Sequence, residues 1–473
     1  MTINHLPDEL LLEIFDSYRR DIDFYDLEWR KEYAWINLAH VCRKWRAVMF
    51  ASCSRLDLGV TVGHIKPTYI KTILSGTLPI YVDYKGMYGG VTGSALWCMR
   101  AALEHPDRVR EIAFEGTDAN FNDILKVTQC AFPVLEGLIL HFQDYYKLKL
   151  PDTFLRGLDP SDLHLRRIKL QRVSIASISG FLLSATAVTD LSLRIDADFG
   201  QSPETSLLTC LQGMPCLRRL NLSISSGPPL RPPTTPNHKD IVSLSKLTGF
   251  RYYGHGIFFD ALAAGLSAPS LRDVNIQFFD GIPPIVHLPR FICEIEEDYH
   301  AFHVVFCDCC FCLSLQTKSE YINHCKPRFE LRRVLGHVPV SIIRMSGVLS
   351  TKLATVEELR VTFKSAPFDN YWENEIPWRE FLQHFPSLKA FRTENALNDR
   401  IARALLRNHG EPNGDLAFLP ALEEIELGED LSFTDDSDSD SDERERGAEL
   451  AAFEPIVSAR KQAGCPIKVF FSP

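Results

Sequence analysis

The chain has 473 residues, 45% hydrophobic and 24% charged, an ordinary globular composition with room for one small and one large domain. A formal net charge of −10 gives no general attraction to nucleic acid, and no run of about eighteen apolar residues is present to cross a membrane. Thirteen cysteines, an odd number, in a chain whose first residues lack a secretory pattern predict reduced thiols and a cytoplasmic or nuclear protein.

The first predicted element is a helix. Pro7 suits a first helical position, and Asp8 and Glu9 complement the positive end of the dipole. Leu10, Leu11, Ile14, Phe15 and Tyr18 follow at helical spacing and make one broad apolar stripe that must be covered. A second apolar segment, with Ile36, Leu38, Ala39, Val41, Cys42, Trp45, Val48 and Met49, predicts two short helices meeting near Cys42 and Arg43. Three short helices bury too little surface to stand alone, so the module should lean on a neighbour or a partner.

The run Leu6-Pro7-x-Glu9-Leu10-Leu11-x-x-Ile14-Phe15, then Leu38-x-x-Val41-Cys42-x-x-Trp45-Arg46 with Arg55-Leu56-Asp57-Leu58 after it, resembles the F-box, and more closely its F-box-like variant in fungal proteins. The match covers residues 4–58, and residues 19–33 form a longer link than is usual between the first two helices. The resemblance implies docking on the Skp-type adaptor of a cullin-RING ubiquitin ligase. Leu6, Pro7, Leu10, Ile14, Phe15, Leu38, Val41, Cys42 and Trp45 would supply that contact or the small core beneath it. The alternative is a helical cap on the following domain that needs no partner.

Residues 55–60 and 78–84 alternate as strands, with a short helix expected over 67–74 and a loop at the Gly-rich 85–90, which lacks the order of a phosphate-binding loop. From about residue 107 a phrase recurs, apolar-x-x-apolar-x-apolar, often after Pro. Its copies begin at Val109, Leu135, Leu165, Val188, Leu217, a poorer one at Leu247, and Leu271; they resume at Val356, Leu388 and Leu422. Within the first run the copies stand roughly 23 to 30 residues apart, in the range of leucine-rich repeats, which predicts about nine or ten repeats in all. Helical patches lie between copies at 153–158, 178–183 and 206–211. The spelling resembles the irregular leucine-rich repeats found downstream of F-boxes. The rival is an α/β domain that merely alternates strand and helix.

The predicted organisation is an α/β protein: a short N-terminal three-helix F-box-like module (4–58), a transition with N-terminal repeats (59–106), and a leucine-rich-repeat-like α/β solenoid with parallel strands (107–279). An irregular insertion or degenerate repeats (280–352) and C-terminal repeats (353–473) complete it. A Pro-rich loop at 227–236 reads as a spacer. The acidic run at 432–447 predicts disorder, with Ser437, Ser439 and Ser441 in the acidic context that some kinases favour. A helix over 449–460 and a last strand over 466–471 should follow.

Cys307, Cys309, Cys310 and Cys312, with His300, His303, His324 and Cys325 nearby, invite a zinc reading, but the spacing lacks Cys-x-x-Cys knuckles. Residues 303–315 read instead as one buried strand in which cysteine packs as a small hydrophobe. No hydrolase or metalloprotease motif occurs. What the F-box resemblance implies is a non-enzymatic adaptor without metal or cofactor, which would dock through the Skp-type adaptor on a cullin scaffold and present an unknown protein substrate on its repeats, with no nucleic acid or membrane partner. The rival from another class is an enzyme within 280–352, which would need a pocket with convergent polar groups there.

Overall fold

In the computed structural model each copy of the phrase after the first turns into a strand two residues after its first apolar residue, as Leu135 precedes Gly137, Leu165 precedes Arg167 and Leu388 precedes Ala390, whereas the first copy is already strand at Val109. The structure describes residues 6–22, 38, 40–52, 60–62, 70, 74, 77–85, 93–117, 128, 130–142, 164–172, 182–195, 203–224, 241–278, 286–293, 299–307, 310–318, 329–334, 338–363, 377–394, 398–406, 418–428 and 439–471. The expected loop at 86–90, the helical patch at 153–158 and the Pro-rich spacer at 227–236 lie outside them, as do most of the helix at 67–74 and Ser437.

The repeat is stitched by backbone bonds that recur at equivalent positions. The carbonyl one residue after the first apolar position accepts two successive N–H groups from the next repeat. Glu136 O takes Arg166 and Arg167 (2.8 and 3.0 Å), Arg166 O takes Thr189 and Asp190, and Glu357 O takes Lys389 and Ala390. Both lone pairs of each oxygen are used. A tight turn precedes the stitch in other copies, the first apolar N–H bonding the carbonyl three residues back, as Leu135 to Phe132, Leu217 to Met214 and Leu388 to Phe385. That earlier residue is itself buried.

The chain divides into two units, Met1–Asp196 and Ala197–Pro473. The first opens with helices α1 (Asp8–Ile22) and α2 (Arg43–Ala51). Six parallel strands follow, each beside its sequence neighbour: β1 (Val60–Val62), β2 (Ile80–Lys85), β3 (Val109–Gly116), β4 (Gly137–Phe142), β5 (Arg167–Gln171) and β6 (Asp190–Ile195), with α3 (Gly93–Leu103) between β2 and β3. Alternate residues such as Leu138, Leu140, Ile168, Leu170, Leu191 and Leu193 are buried, so the intervening polar ones form the opposite face. Tyr84 stacks on Phe114, centroids 5.1 Å apart, within this core.

The second unit contains α4 (Pro203–Gln212), β7 (Arg219–Ile224), β8 (Val242–Ser243), β9 (Gly249–Gly254), α5 (Gly256–Gly265), β10 (Leu266–Ser267), β11 (Asp273–Phe278), α6 (Leu288–Cys293), β12 (Ala301–Cys307), β13 (Cys310–Gln316), β14 (Phe329–Val334) and α7 (Val338–Leu353). It continues through β15 (Glu358–Phe363), α8 (Trp378–Leu382), β16 (Ala390–Glu394), α9 (Asn398–Leu406), β17 (Glu424–Gly428), α10 (Ser439–Gln462) and β18 (Lys468–Phe471). Its strands lie in the order β7-β9-β11-β14-β13-β12-β15-β16-β17-β18, with β8 and β10 as a separate parallel pair. Phe250, Tyr252, Phe259, Phe278 and Phe291 fill one part of its core edge to face; Trp378, Phe381 and Phe385 fill another the same way, with Phe302 tilted against Phe385.

Three expectations are corrected here. Residues 303–315 are not one strand: Cys307 pairs with Cys310, so the chain reverses between them, and the period-2 pattern simply runs through the reversal. In consequence β13 is antiparallel to both neighbours, an exception to the expected parallel sheet, while β14 and β12 restore parallel pairing with β11 and β15. The aperiodic stretch thus contributes three strands to the sheet. Finally, the acidic run is helical from Ser439 onward, because acids at a helix N-terminus are complemented by its dipole.

Candidate functional site

The small helical module is built on a core of Leu11, Leu12, Phe15, Leu38, Trp45, Val48 and Met49, with Leu6, Tyr18, Cys42 and Leu78 packed at its edge. Phe15 meets Trp45 edge on, centroids 5.0 Å apart. Pro7 stands one position earlier than expected: its carbonyl accepts the first helical bond, from Leu11 N at 3.2 Å, so it is the N-cap and Asp8 the first helical residue. At the start of α2 the Cys42 thiol accepts from Trp45 N at 3.4 Å, a sulfur N-cap. Val41 N bonds Leu38 O in the turn before it, which is the break expected near Cys42 and Arg43. Residues 23–37 and 39 lie outside the described ones, including nearly all of the segment expected to form the middle helix.

The nine residues singled out from sequence divide into two sets. Phe15, Leu38 and Trp45 are buried core, and Leu6 and Cys42 are half-buried against it. Pro7 is exposed, and so are Leu10, Ile14 and Val41, at 46%, 40% and 52%. On α1 the core residues Leu11, Leu12 and Phe15 centre about 130° from Leu10 and Ile14, so the helix carries two apolar faces, of which the described residues cover one. Lys44 Nζ donates to Leu6 O at 2.6 Å and lies 3.5 Å from Asp8 Oδ1. This link fastens the turn carrying Val41 to the end of α1 that carries Leu10. Phe50, 44% exposed on α2, was not among the expected site residues. Its signal was its place outside the helical spacing of Trp45, Val48 and Met49.

The polar face of the strands is the second candidate surface. In the first unit Glu111, Gly137 and Arg167 stand in one row, and Arg167 Nη2 donates to Glu111 Oε2 at 2.7 Å. Burial holds the Glu111 carboxyl above the usual range against the pull of Arg167. His141 Nδ1 lies 3.2 Å from Glu115 Oε1. In the second unit Arg392 Nε lies between Glu358 Oε1 (2.8 Å) and Glu426 Oε2 (3.1 Å).

The Cys-rich stretch gathers no metal site among the described residues, where no group of three or more His, Cys, Asp or Glu converges. His303 Nε2 lies 2.9 Å from Thr362 Oγ1 and His300 Nδ1 lies 3.6 Å from Glu357 Oε2. Cys309, His324 and Cys325 are outside the described residues, and of the four clustered cysteines only Cys312 has its side chain described. No helix among them is long and apolar enough to cross a membrane.

Compared with known proteins, residues 3–53 match the F-box-like family model. No curated protein matches the chain. Among solved structures, one similar chain is the leucine-rich repeat-containing protein LegL7 from Legionella pneumophila, at 8% identity, over 84% of this chain and 98% of that one, with a TM-score of 0.25. A likeness that slight carries no argument, so the repeat architecture rests on the strand registers and stitches above.

Proposed function

We propose that a chain which opens on an F-box-like segment and continues into repeat-like strands is a substrate-recruiting subunit of a Skp-cullin-F-box type ubiquitin ligase. The observation that supports this best is the second apolar face: Leu10, Ile14 and Val41 remain exposed on a module whose core is already closed by Phe15 and Trp45. A helix of a Skp-type adaptor laid against that face would bury what the chain itself leaves wet, and burial of the exposed half of each such side chain contributes about 0.7–1.5 kcal/mol before ordering costs. The strands would hold a protein target on their polar face. On this reading no residue performs covalent chemistry; transfer is accelerated by proximity of the target to a charged conjugating enzyme. The protein would work in the cytoplasm or nucleus.

Co-expression with a Skp-type adaptor tests the reading. A one-to-one complex that survives size-exclusion chromatography is expected, and separate elution of the two proteins would overturn it. A second reading has its own observation: Leu78, just before β2, packs on the module's core, as a capping role requires. A cap alone would leave the adaptor unbound.

A further inference from the structure

We propose that the polar face of β4, β5 and β6 binds a short acidic peptide segment of a target protein. The inference rests on the reading above, in which the strands present the target, and names the chemistry of what they take.

The argument begins with register. His141, Gln171 and Arg194 form one row across the three strands, and Ile139, Lys169 and Ser192 the adjacent row. Lys169 and Arg194 are exposed, since the residues flanking them along their strands are buried in the core. Arg172 follows β5 with φ of 60°, a left-handed conformation uncommon outside glycine, and its N–H donates to Arg194 O at 3.0 Å. That bend keeps the Arg172 backbone against β6. Burial opposes protonation of His141 most, Glu115 favours it, and Arg172, Arg194 and Lys169 lie close enough to oppose it as well.

Charge pairing sharpens the point. Arg167 is taken by Glu111 and His141 by Glu115, whereas among the described residues neither Lys169 nor Arg194 forms an ion pair. The neighbouring strands β2 and β3 carry more acid than base, with Asp83, Glu111 and Glu115 against Lys85 and Arg110. A long polyanion would run onto these acids, and the whole chain carries −10. A short acidic segment matches the basic side alone, and like-charge contact on the other side fixes its placement.

The test uses the full chain and three fluorescein-labelled probes, an alternating Glu-Gly peptide, its Gln-for-Glu counterpart and a single-stranded oligonucleotide, read by anisotropy. The Glu peptide should bind and weaken with added salt, and the Gln peptide should not. The Lys169→Glu, Arg194→Glu double variant should weaken the Glu peptide at least roughly tenfold, while Lys461→Glu on α10 should leave it unchanged. Circular dichroism and adaptor co-purification on the same proteins verify that the fold and the docking module are intact. Equal binding of the two peptides, indifference to the double reversal, or tighter binding of a single-stranded oligonucleotide would overturn the proposal. Loss of peptide binding with the adaptor complex intact would remove this inference alone; peptide binding without an adaptor complex would remove the ligase reading instead.

Discussion

Glu111 on β3 reaches across β4 to Arg167 on β5, Oε2 to Nη2 2.7 Å, and it can do so because the residue between them is Gly137. A Cβ there would stand 2.7 Å from Oε2 and 3.0 Å from Cγ of Glu111. Gly137→Ala must therefore turn the carboxylate aside, at little cost to the backbone. A double-mutant cycle with Glu111→Gln and Arg167→Met, read by urea unfolding, should give a coupling of about 0.5–1 kcal/mol in the native background. In the Gly137→Ala background the coupling should vanish; an unchanged coupling would show that the pair does not need the glycine.

The same carboxylate predicts a pH dependence. Burial raises its pKa, Arg167 lowers it less, and Asp83 adds to the rise. The folded state then binds the proton more tightly than the unfolded one, so this group's contribution to stability falls as pH rises from the ordinary Glu value, about 4.3, through the raised folded value. Glu111→Gln should flatten that fall. His384 runs the other way: burial lowers its pKa, so stability is lost as pH falls below about 6.5 toward the depressed folded value. His384→Gln should reduce the loss, as measured by urea unfolding at a series of pH values.

Arg460 holds a strained turn. Leu419 has φ of 51°, and both Nη atoms of the buried Arg460 donate to its carbonyl, at 3.1 and 3.0 Å. Arg460→Met keeps the apolar stem and removes both donors. It should cost about 1.5–3 kcal/mol and speed amide exchange at Leu422, whose N–H bonds Leu419 O at 3.1 Å. Unchanged exchange there would mean the turn holds itself.

The strands were legible because each repeat spells its own buried face, so the phrases at Leu135, Leu165 and Leu388 placed β4, β5 and β16 within two residues. The buried residue three positions earlier, Phe132 or Phe385, was visible only as the residue before a proline. The β12–β13 hairpin was not legible: a period-2 pattern continues through a reversal, and Cys307 and Cys310 carry no turn signal. At the N-terminal helical module, apolar spacing marked Leu10, Ile14 and Phe15 alike. Which of them faces out depends on where α2 packs, and a single helix does not encode that.

That division predicts opposite consequences for neighbouring residues. Phe15→Ala opens a cavity beneath Trp45 and should destabilise the module by about 3–5 kcal/mol. The exposed Ile14 can take an aspartate with a change within about 0.5 kcal/mol. Thermal unfolding followed by Trp fluorescence separates the two, and comparable losses would show that Ile14 belongs to the core.

The most direct measurement co-expresses a Skp-type adaptor with the Leu10→Asp, Ile14→Asp, Val41→Asp triple variant and compares it with the unaltered chain. The account predicts that the variant folds with an unchanged unfolding midpoint and no longer co-elutes with the adaptor, whereas the unaltered chain does. A folded triple variant that still carries the adaptor at one to one would contradict it.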